Sequence, residues 1–278
     1  MSSGPIDPGI LSADGVFPSW IRHGFTTRTG GASEGRYASL NLAFRTGDDV
    51  ERVRENHRRV GRALGFDAAG LATVHQVHGT DIVTVRTAAE APSLREISAD
   101  GLLVLPDAGA RGPIAAAVRT ADCCPVVIAR TDVRAAAVLH CGWRSVVAGI
   151  VGIGVRRLLE AAPAPKGSVP LAAAIGPCIG PEAFEVGEDV AERFERFAGR
   201  EVVLRRPDRP KPHVDLALAA RIALVRAGVS AASIGWIRRC TASEPESFFS
   251  YRRDGPIGGR QAGVVVVGPS RTESRLQS

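Results

Sequence analysis

Long apolar runs, dense basic clusters and paired-cysteine spacings are all missing from this chain. No stretch reaches the eighteen or so consecutive apolar residues of a membrane-spanning helix, so no membrane partner is expected. No run of five or six basic residues occurs either. The nearest, Arg205 to Lys211 (RRPDRPK), is broken by Asp208 and two prolines. The formal net charge is +6, a mild balance that suits solubility or anionic substrates better than a nucleic-acid footprint. The cysteines number five, an odd count with Cys123 and Cys124 adjacent and no C-x-x-C pair. That pattern argues against zinc fingers and against a disulfide framework, and for reduced thiols in a cytoplasmic protein. The N-terminal MSSGPIDPGILSADG lacks the basic start and apolar core of a secretory signal.

Three nucleotide and hydrolase signatures are absent as well. Neither G-x-x-x-x-G-K-[ST] nor G-x-G-x-x-G occurs, which removes the usual signals for nucleotide hydrolysis and dinucleotide binding. Without G-x-S-x-G, the serine-hydrolase reading loses its nucleophile elbow.

What remains is a globular composition. The chain has 278 residues, 45% hydrophobic and 23% charged, enough to bury a substantial core. Residues 1–14, rich in Gly, Pro and Ser, read as a tail, as do 271–278, leaving one domain over 15–270. Val16 to Thr27 reads as strand leading into Arg28-Thr29-Gly30-Gly31, where paired glycines let backbone and Arg28 approach an anion. Tyr37 to Leu42 reads as a further strand. From Asp49 the pattern turns helical: Val50, Val53, His57, Val60 and Leu64 share one face, and Gly65 is a stop. Thr73 to Arg86 (TVHQVHGTDIVTVR) has strand character broken at Gly79. In a plain strand His75 and His78 face opposite sides, and a bulge at Gly79 would re-aim His78. A linker over 87–97 leads to Ser98-Ala99-Asp100-Gly101 and the strand LLVL.

The chemistry concentrates in Arg119 to Ile150, RTADCCPVVIARTDVRAAAVLHCGWRSVVAGI. Two short apolar runs, PVVIA and AAAVL, bounded by turn-prone residues, read as adjacent strands that bring Cys123 beside His140. Ser145 to Ala162 reads as one buried helix. Leu171 to Ile175 is a buried strand ending at Gly176-Pro177-Cys178, where a thiol sits on a tight turn. Gly187 to Ala198 is helical, and Asp215 to Ala227 is a helix capped by Asp215 and stopped by Gly228. The strands IGWI and GVVVV follow. Strands alternating with helices indicate an α/β fold. Cys123 and His140 admit two readings: a nucleophile with its base, or two ligands of a zinc ion completed by His78, with a fourth position open to water. Spacing alone leaves both open.

The blocks FTTRTGG (25–31), SLNL (39–42), HQVHGTDIV (75–83), TADCCPVVI (120–128), AVLHCGWRSVVAGIV (137–151), AIGPCIGPEAFEVGEDV (174–190), DLALAARIAL (215–224) and FSYRRDGPIGGRQAG (249–263) closely resemble the YfiH/laccase-domain family. The resemblance spans nearly the whole chain in the family's order. It implies a three-layer α/β domain with a mixed sheet, related to a Cys-His deamidase toxin domain. It implies zinc held by His78, Cys123 and His140, which would also be the catalytic residues. The implied activity is phosphorolysis of adenosine, inosine or methylthioadenosine, together with adenosine deamination. The expected partners are a purine nucleoside and phosphate, with no nucleic acid and a monomeric chain. Arg28 and Arg144 are candidates for a phosphate clamp, and Asn41 and Cys178 for orienting substrate.

The chain departs from the family where Cys124 replaces a common Leu, Cys141 an Ala and Ser145 a Gly. Cys124 and Cys141 read as core facing away from the site, so no ligand is lost. Older descriptions of the family as copper polyphenol oxidases fit poorly. Six histidines without an H-x-H pair cannot hold a mononuclear and a trinuclear copper centre. A metal-free Cys-His hydrolase or amidase acting on cell-wall precursors remains the main rival.

Overall fold

The computed structural model describes residues 8–108, 110, 112–161 and 170–268. Among the described residues thirteen strands run in chain order: β1 (Ile10–Leu11), β2 (Ile21–Thr26), β3 (Leu71–Ala72), β4 (Ile82–Val85), β5 (Gly101–Val104), β6 (Ile114–Thr120), β7 (Cys124–Arg130), β8 (Ala136–Cys141), β9 (Leu171–Ile175), β10 (Val203–Leu204), β11 (His213–Val214), β12 (Ile234–Trp236) and β13 (Gln261–Val267). The helices are α1 (Val50–Leu64), α2 (Ala91–Leu94), α3 (Trp143–Val147), α4 (Ile150–Ala161), α5 (Glu188–Ala198), α6 (Leu216–Arg226) and α7 (Tyr251–Asp254).

The strands form a five-stranded sheet, β1-β2-β13-β6-β3, a six-stranded sheet, β12-β9-β7-β8-β5-β4, and the small pair β10-β11. Both large sheets are mixed: β13 is antiparallel to β2 and β6 while β3 is parallel to β6, and β7 is antiparallel to β8 and β9 while β12 is parallel to β9. The sheets pack face to face. Phe25, Val118 and Val265 of one share a core with Val127, Val138 and Ala174 of the other. The outer face of the larger sheet, with Val126, Ile128 and Leu139, packs on α4 and α6 through Val151, Leu158 and Ala220. The outer face of the smaller sheet packs on α1 through Val60 and Leu64.

This burial on both faces explains why the strand sequences are almost continuously apolar rather than alternating. Every residue of β7, β8 and β13 is buried, and each valine of β13 contributes roughly 2 kcal/mol of transfer free energy. The α/β class and mixed pairing match the sequence reading, but the expected mixed sheet is doubled.

Local expectations differ in several places. The tail expected over 1–14 contains β1, whose Ile10 pairs with Thr26; the tail expected over 271–278 lies outside the described residues. Tyr37 to Leu42 is not a strand: a 3-10 turn, Gly35–Tyr37, leads into an irregular stretch with Leu40 and Leu42 buried. Helix α1 starts and stops as read, with the Asp49 carboxylate accepting from the Arg52 N–H and Gly65 left-handed at φ 72°. Val50, however, is exposed, so the apolar face begins at Val53. The linker over 87–97 contains α2. The single helix expected from Ser145 is two, because Gly149 at φ 89° breaks the ladder between α3 and α4; Ala162 lies outside the described residues.

Candidate functional site

The site grows out of the crossing from one sheet to the other. Strand β6 ends at Thr120 and β7 begins at Cys124 in the facing sheet, so Ala121 to Cys123 must turn a sharp corner. Asp122 makes the turn at φ 91°, a region that L-residues avoid unless surrounding contacts hold them there. Three donors supply that hold. The Asp122 carboxylate accepts from Thr241 Oγ1 at 2.7 Å, Ser250 Oγ at 3.0 Å and the Arg252 N–H at 2.6 Å. Cys123 is thereby presented at the mouth of the corner.

Strand β8 supplies the second group. Cys124 pairs with Cys141 and Pro125 with His140, which places His140, 4% exposed, across from the Cys123 corner. His78 arrives differently from the sequence expectation. Thr73 to Thr80 is no strand broken by a bulge; only Ile82–Val85 is a strand, and His78 itself lies in the left-handed region at φ 61°. Its loop is pinned by the buried Asp100, whose carboxylate accepts from the backbone N–H groups of Val77 at 3.2 Å, His78 at 2.9 Å and Gly79 at 2.6 Å. The same carboxylate accepts from His140 Nδ1 at 2.8 Å. Gly142 allows the close approach: a Cβ there would lie 2.7 Å from His78 Cδ2 and 3.2 Å from Cys123 Sγ.

His78, Cys123 and His140 therefore converge. Their ligand atoms all lie within 4.8 Å of one another, a group able to hold a metal ion. The donor set fits zinc. Cys123 Sγ and His78 Nε2 are 3.8 Å apart, near the roughly 3.5 Å edge of a tetrahedron with Zn–S of about 2.3 Å and Zn–N of about 2.0 Å. Asp100 accepts from His140 Nδ1 and leaves Nε2 free to serve as a ligand nitrogen, the usual support behind a metal-bound imidazole. A multicopper array does not fit, because this trio is the one such metal-ligand group among the described residues.

Charges at this corner are strongly coupled. Burial favours the neutral Cys123 thiol, but the adjacent His140 charge and hydrogen bonds from both imidazoles bring it down to about 6. Burial likewise disfavours a charged His140, yet the Cys123 thiolate and Asp100 lift it to about 9. Without metal, the pair is a thiolate beside an imidazolium.

The group opens into a cavity of about 840 Å³. Phe44, Trp143 and Tyr251 line it with apolar surface, and Arg45, Arg119, Arg144 and Arg260 with positive charge. Arg144 is the one sequence-designated substrate contact on this lining; its guanidinium lies 4.4 Å from the Trp143 ring centroid. Arg28, Asn41 and Cys178 are not brought to it. Arg28 donates to the carbonyls of Ala38 and Pro245 and lies over Phe249. Asn41, fully buried, ties Ala43, Thr46, Asp48 and the Arg260 N–H together. Cys178 is buried in the core that holds Cys124 and Cys141, both packed away from the cavity as expected. Sequence reasoning missed Asp100, Asp122, Gly142, Arg119 and Arg260 as site residues. Asp100 and Asp122 each stand inside a segment that the sequence singles out, but a lone Asp beside Gly or Cys reads as a turn residue.

The chain is similar to known proteins along most of its length. The family model described as multi-copper polyphenol oxidoreductase laccase matches residues 22–268. The chain is 38% identical over 255 residues to a purine nucleoside phosphorylase of Deinococcus radiodurans, covering 92% of each chain. It is 35% identical over 245 residues to adenosine deaminase RL5 of an unknown prokaryotic organism, covering 84% of this chain and 89% of that one. The crystal structure of YlmD from Geobacillus stearothermophilus superposes with a TM-score of 0.82 at 30% identity, covering 94% of this chain and 97% of that one. The chain belongs to this YfiH/laccase-domain family of enzymes.

Proposed function

We propose that the protein is a zinc-dependent purine nucleoside phosphorylase that also deaminates adenosine. The observation that carries the reading is the convergence of His78, Cys123 and His140 on the lining of a cavity that is at once aromatic and arginine-rich. The similarity to proteins named purine nucleoside phosphorylase and adenosine deaminase supports the same substrate class.

Each part of the cavity has a task in this reading. His78, Cys123 and His140 hold the ion, and Asp100 keeps the His140 ring oriented. Bound there, zinc would supply a Lewis acid with an open coordination position. Phe44, Trp143 and Tyr251 offer flat apolar surface to a purine ring. Arg144 at the rim and the deeper arginines offer donors to an anion. Water or phosphate then attacks a nucleoside held between these surfaces.

The test is adenosine incubated with the metal-loaded protein, with and without phosphate. Adenine and ribose 1-phosphate appearing only with phosphate, and inosine appearing in either case, support the reading; neither product from a zinc-loaded sample defeats it. One observation favours a rival, the metal-free thiolate–imidazolium pair of Cys123 and His140, which is the activated form of a cysteine hydrolase. Metal analysis separates the two. About one zinc per chain, lost in His78→Ala together with activity, supports the metal reading, whereas activity in metal-free protein supports the hydrolase.

A further inference from the structure

Cys178 and Cys240 stand outside the reaction proposed above. Neither is on the cavity lining, yet the fold sets them side by side. They pair as an isolated parallel bridge, in which the Cys178 N–H donates to the Arg239 carbonyl at 3.4 Å and the Thr241 N–H to the Cys178 carbonyl at 3.0 Å. Paired segments of this kind lie about 4.8 Å apart, with the side chains of partner residues on the same side. That separation falls inside the Cα range of roughly 4.4–6.8 Å that a disulfide spans. The Cys240 sulfur also lies over the Cys178 segment, since it accepts the Gly180 N–H at 3.1 Å. Gly180 leaves room for it: a Cβ there would meet Cys240 Cβ at 3.2 Å and Sγ at 3.3 Å.

The two thiols differ in access. Cys240 is half-buried, whereas Cys178 is 4% exposed. The neighbouring Cys124 thiol, and then burial, push Cys178 well above the ordinary thiol value, which makes it inert toward a reagent arriving from solution. Cys240 is the member of the pair that such a reagent reaches. A buried thiol held beside it reacts at the high effective concentration of an intramolecular step.

We propose that Cys240 and Cys178 form a thiol–disulfide exchange site for a low-molecular-weight disulfide, in which Cys240 takes up the incoming thiol half and Cys178 resolves it. The Cys240 thiolate attacks one sulfur of the incoming disulfide. A new sulfur–sulfur bond forms as the old one breaks, and the other half leaves as a thiolate with the electron pair. Cys178, on losing its proton, attacks the Cys240 sulfur and expels the second half in the same way. Two protein thiols are oxidised to one disulfide, and the incoming disulfide is reduced to two thiols that take up the two protons the protein lost. The product would tie together the two segments that hold the Cys123 corner. From one, the Ile179 N–H donates to the Asp122 carbonyl at 2.9 Å; from the other, Thr241 Oγ1 donates to the Asp122 carboxylate at 2.7 Å. The site is a redox-sensitive staple behind Asp122, whichever reaction the cavity performs.

The experiment incubates the zinc-loaded full chain with excess oxidised glutathione, blocks the remaining thiols, and maps unreduced peptides by mass spectrometry. Mapping assigns every modified sulfur, so reaction at Cys123 is told apart from reaction at this pair. Wild type loses the mass of two hydrogens and yields a linked Cys178–Cys240 peptide, and dithiothreitol reverses both. Cys178→Ala instead accumulates one glutathionyl group on Cys240. Cys240→Ser forms no disulfide at Cys178, and its hydroxyl still accepts the Gly180 N–H, so the fold is kept. Wild type that gains no Cys178–Cys240 link over the hours such exchange takes overturns the proposal. So does glutathione that stays on Cys240 of wild type, or a Cys124–Cys178 link that forms equally in Cys240→Ser.

Discussion

His140 donates its Nδ1 hydrogen to Asp100 Oδ1 at 2.8 Å, while the same carboxylate accepts three successive backbone N–H groups from the loop that carries His78. One buried side chain thus orients one imidazole directly and the other through its backbone. Two of the three proposed metal-ligand positions depend on it.

Asp100→Asn is therefore expected to lower metal affinity by about 10- to 100-fold. The amide keeps the volume but replaces one acceptor oxygen with an NH₂ group facing donors, so His140 or the Val77–Gly79 loop loses a partner. Chelator competition on purified protein measures the change. An unchanged affinity would show that the ligands hold their positions without Asp100.

Cys123 should be the first thiol to be alkylated in metal-free protein. Burial holds the Cys141 thiol far above its ordinary value, and Cys178 and Cys124 are also raised, whereas Cys123 titrates at about 6. Because the thiolate is the nucleophile, the iodoacetamide rate at Cys123 is flat above neutral pH and falls as pH drops through about 6. Added zinc suppresses the labelling by occupying the sulfur. Mass spectrometry of peptides after brief labelling at several pH values checks both statements, and modification of Cys124 ahead of Cys123 contradicts them.

Much of this architecture is legible in the chain, and the failures have physical causes. PVVIA and AAAVL read as strands because β7 and β8 are buried on both faces, and the Asp49 cap and Gly65 stop mark α1. These are local signals. The doubled sheet is not local, since an apolar strand buried by another sheet has the same composition as one buried by helices. Strand alternation sets His78 against His75 and so demands a bulge; a left-handed residue pinned by a carboxylate 22 positions away leaves no periodicity to read. Arg119 and Arg260 meet only through the register of β6 with β13. Arg28, beside its glycine pair, reads as an anion site, yet its guanidinium closes a loop.

Gly142→Ala should disturb the centre without disturbing the fold. Gly142 has φ −71° and ψ 164°, a conformation alanine adopts freely, so any effect is steric rather than backbone strain. The added Cβ would meet the His78 ring at 2.7 Å and Cys123 Sγ at 3.2 Å. Both side chains belong to the proposed metal-ligand group, and His78 must swing away. Metal affinity is expected to drop at least about tenfold, in line with the loss seen when ligand geometry is disturbed, with little change in the melting temperature of the metal-free protein. Retention of wild-type affinity would mean that the His78 loop can shift as a unit.

Acid should weaken the fold through two histidines outside the His78–Cys123–His140 group. Burial, opposed by the Asp14 charge, holds His23 down to about 4, and burial does the same for His57. His23 Nε2 accepts the Ala13 N–H at 2.9 Å, a bond that protonation breaks, and its ring sits edge-on to Phe17 and Phe25. His57 stacks on Phe44 with centroids 5.0 Å apart. An unfolded histidine titrates near 6.5, so between about 6.5 and 4 the unfolded chain binds more protons than the native one. Stability therefore rises with pH across that window and is lost as pH falls through it. A shift of this size corresponds to about 3 kcal/mol per histidine, fully lost only below about pH 4. Urea denaturation at intervals from about pH 7 to about 4.5 gives the slope. In His57→Gln the slope should shrink by about half, since each of two similar groups supplies one proton. An undiminished slope in that variant would assign the acid sensitivity to groups other than His57.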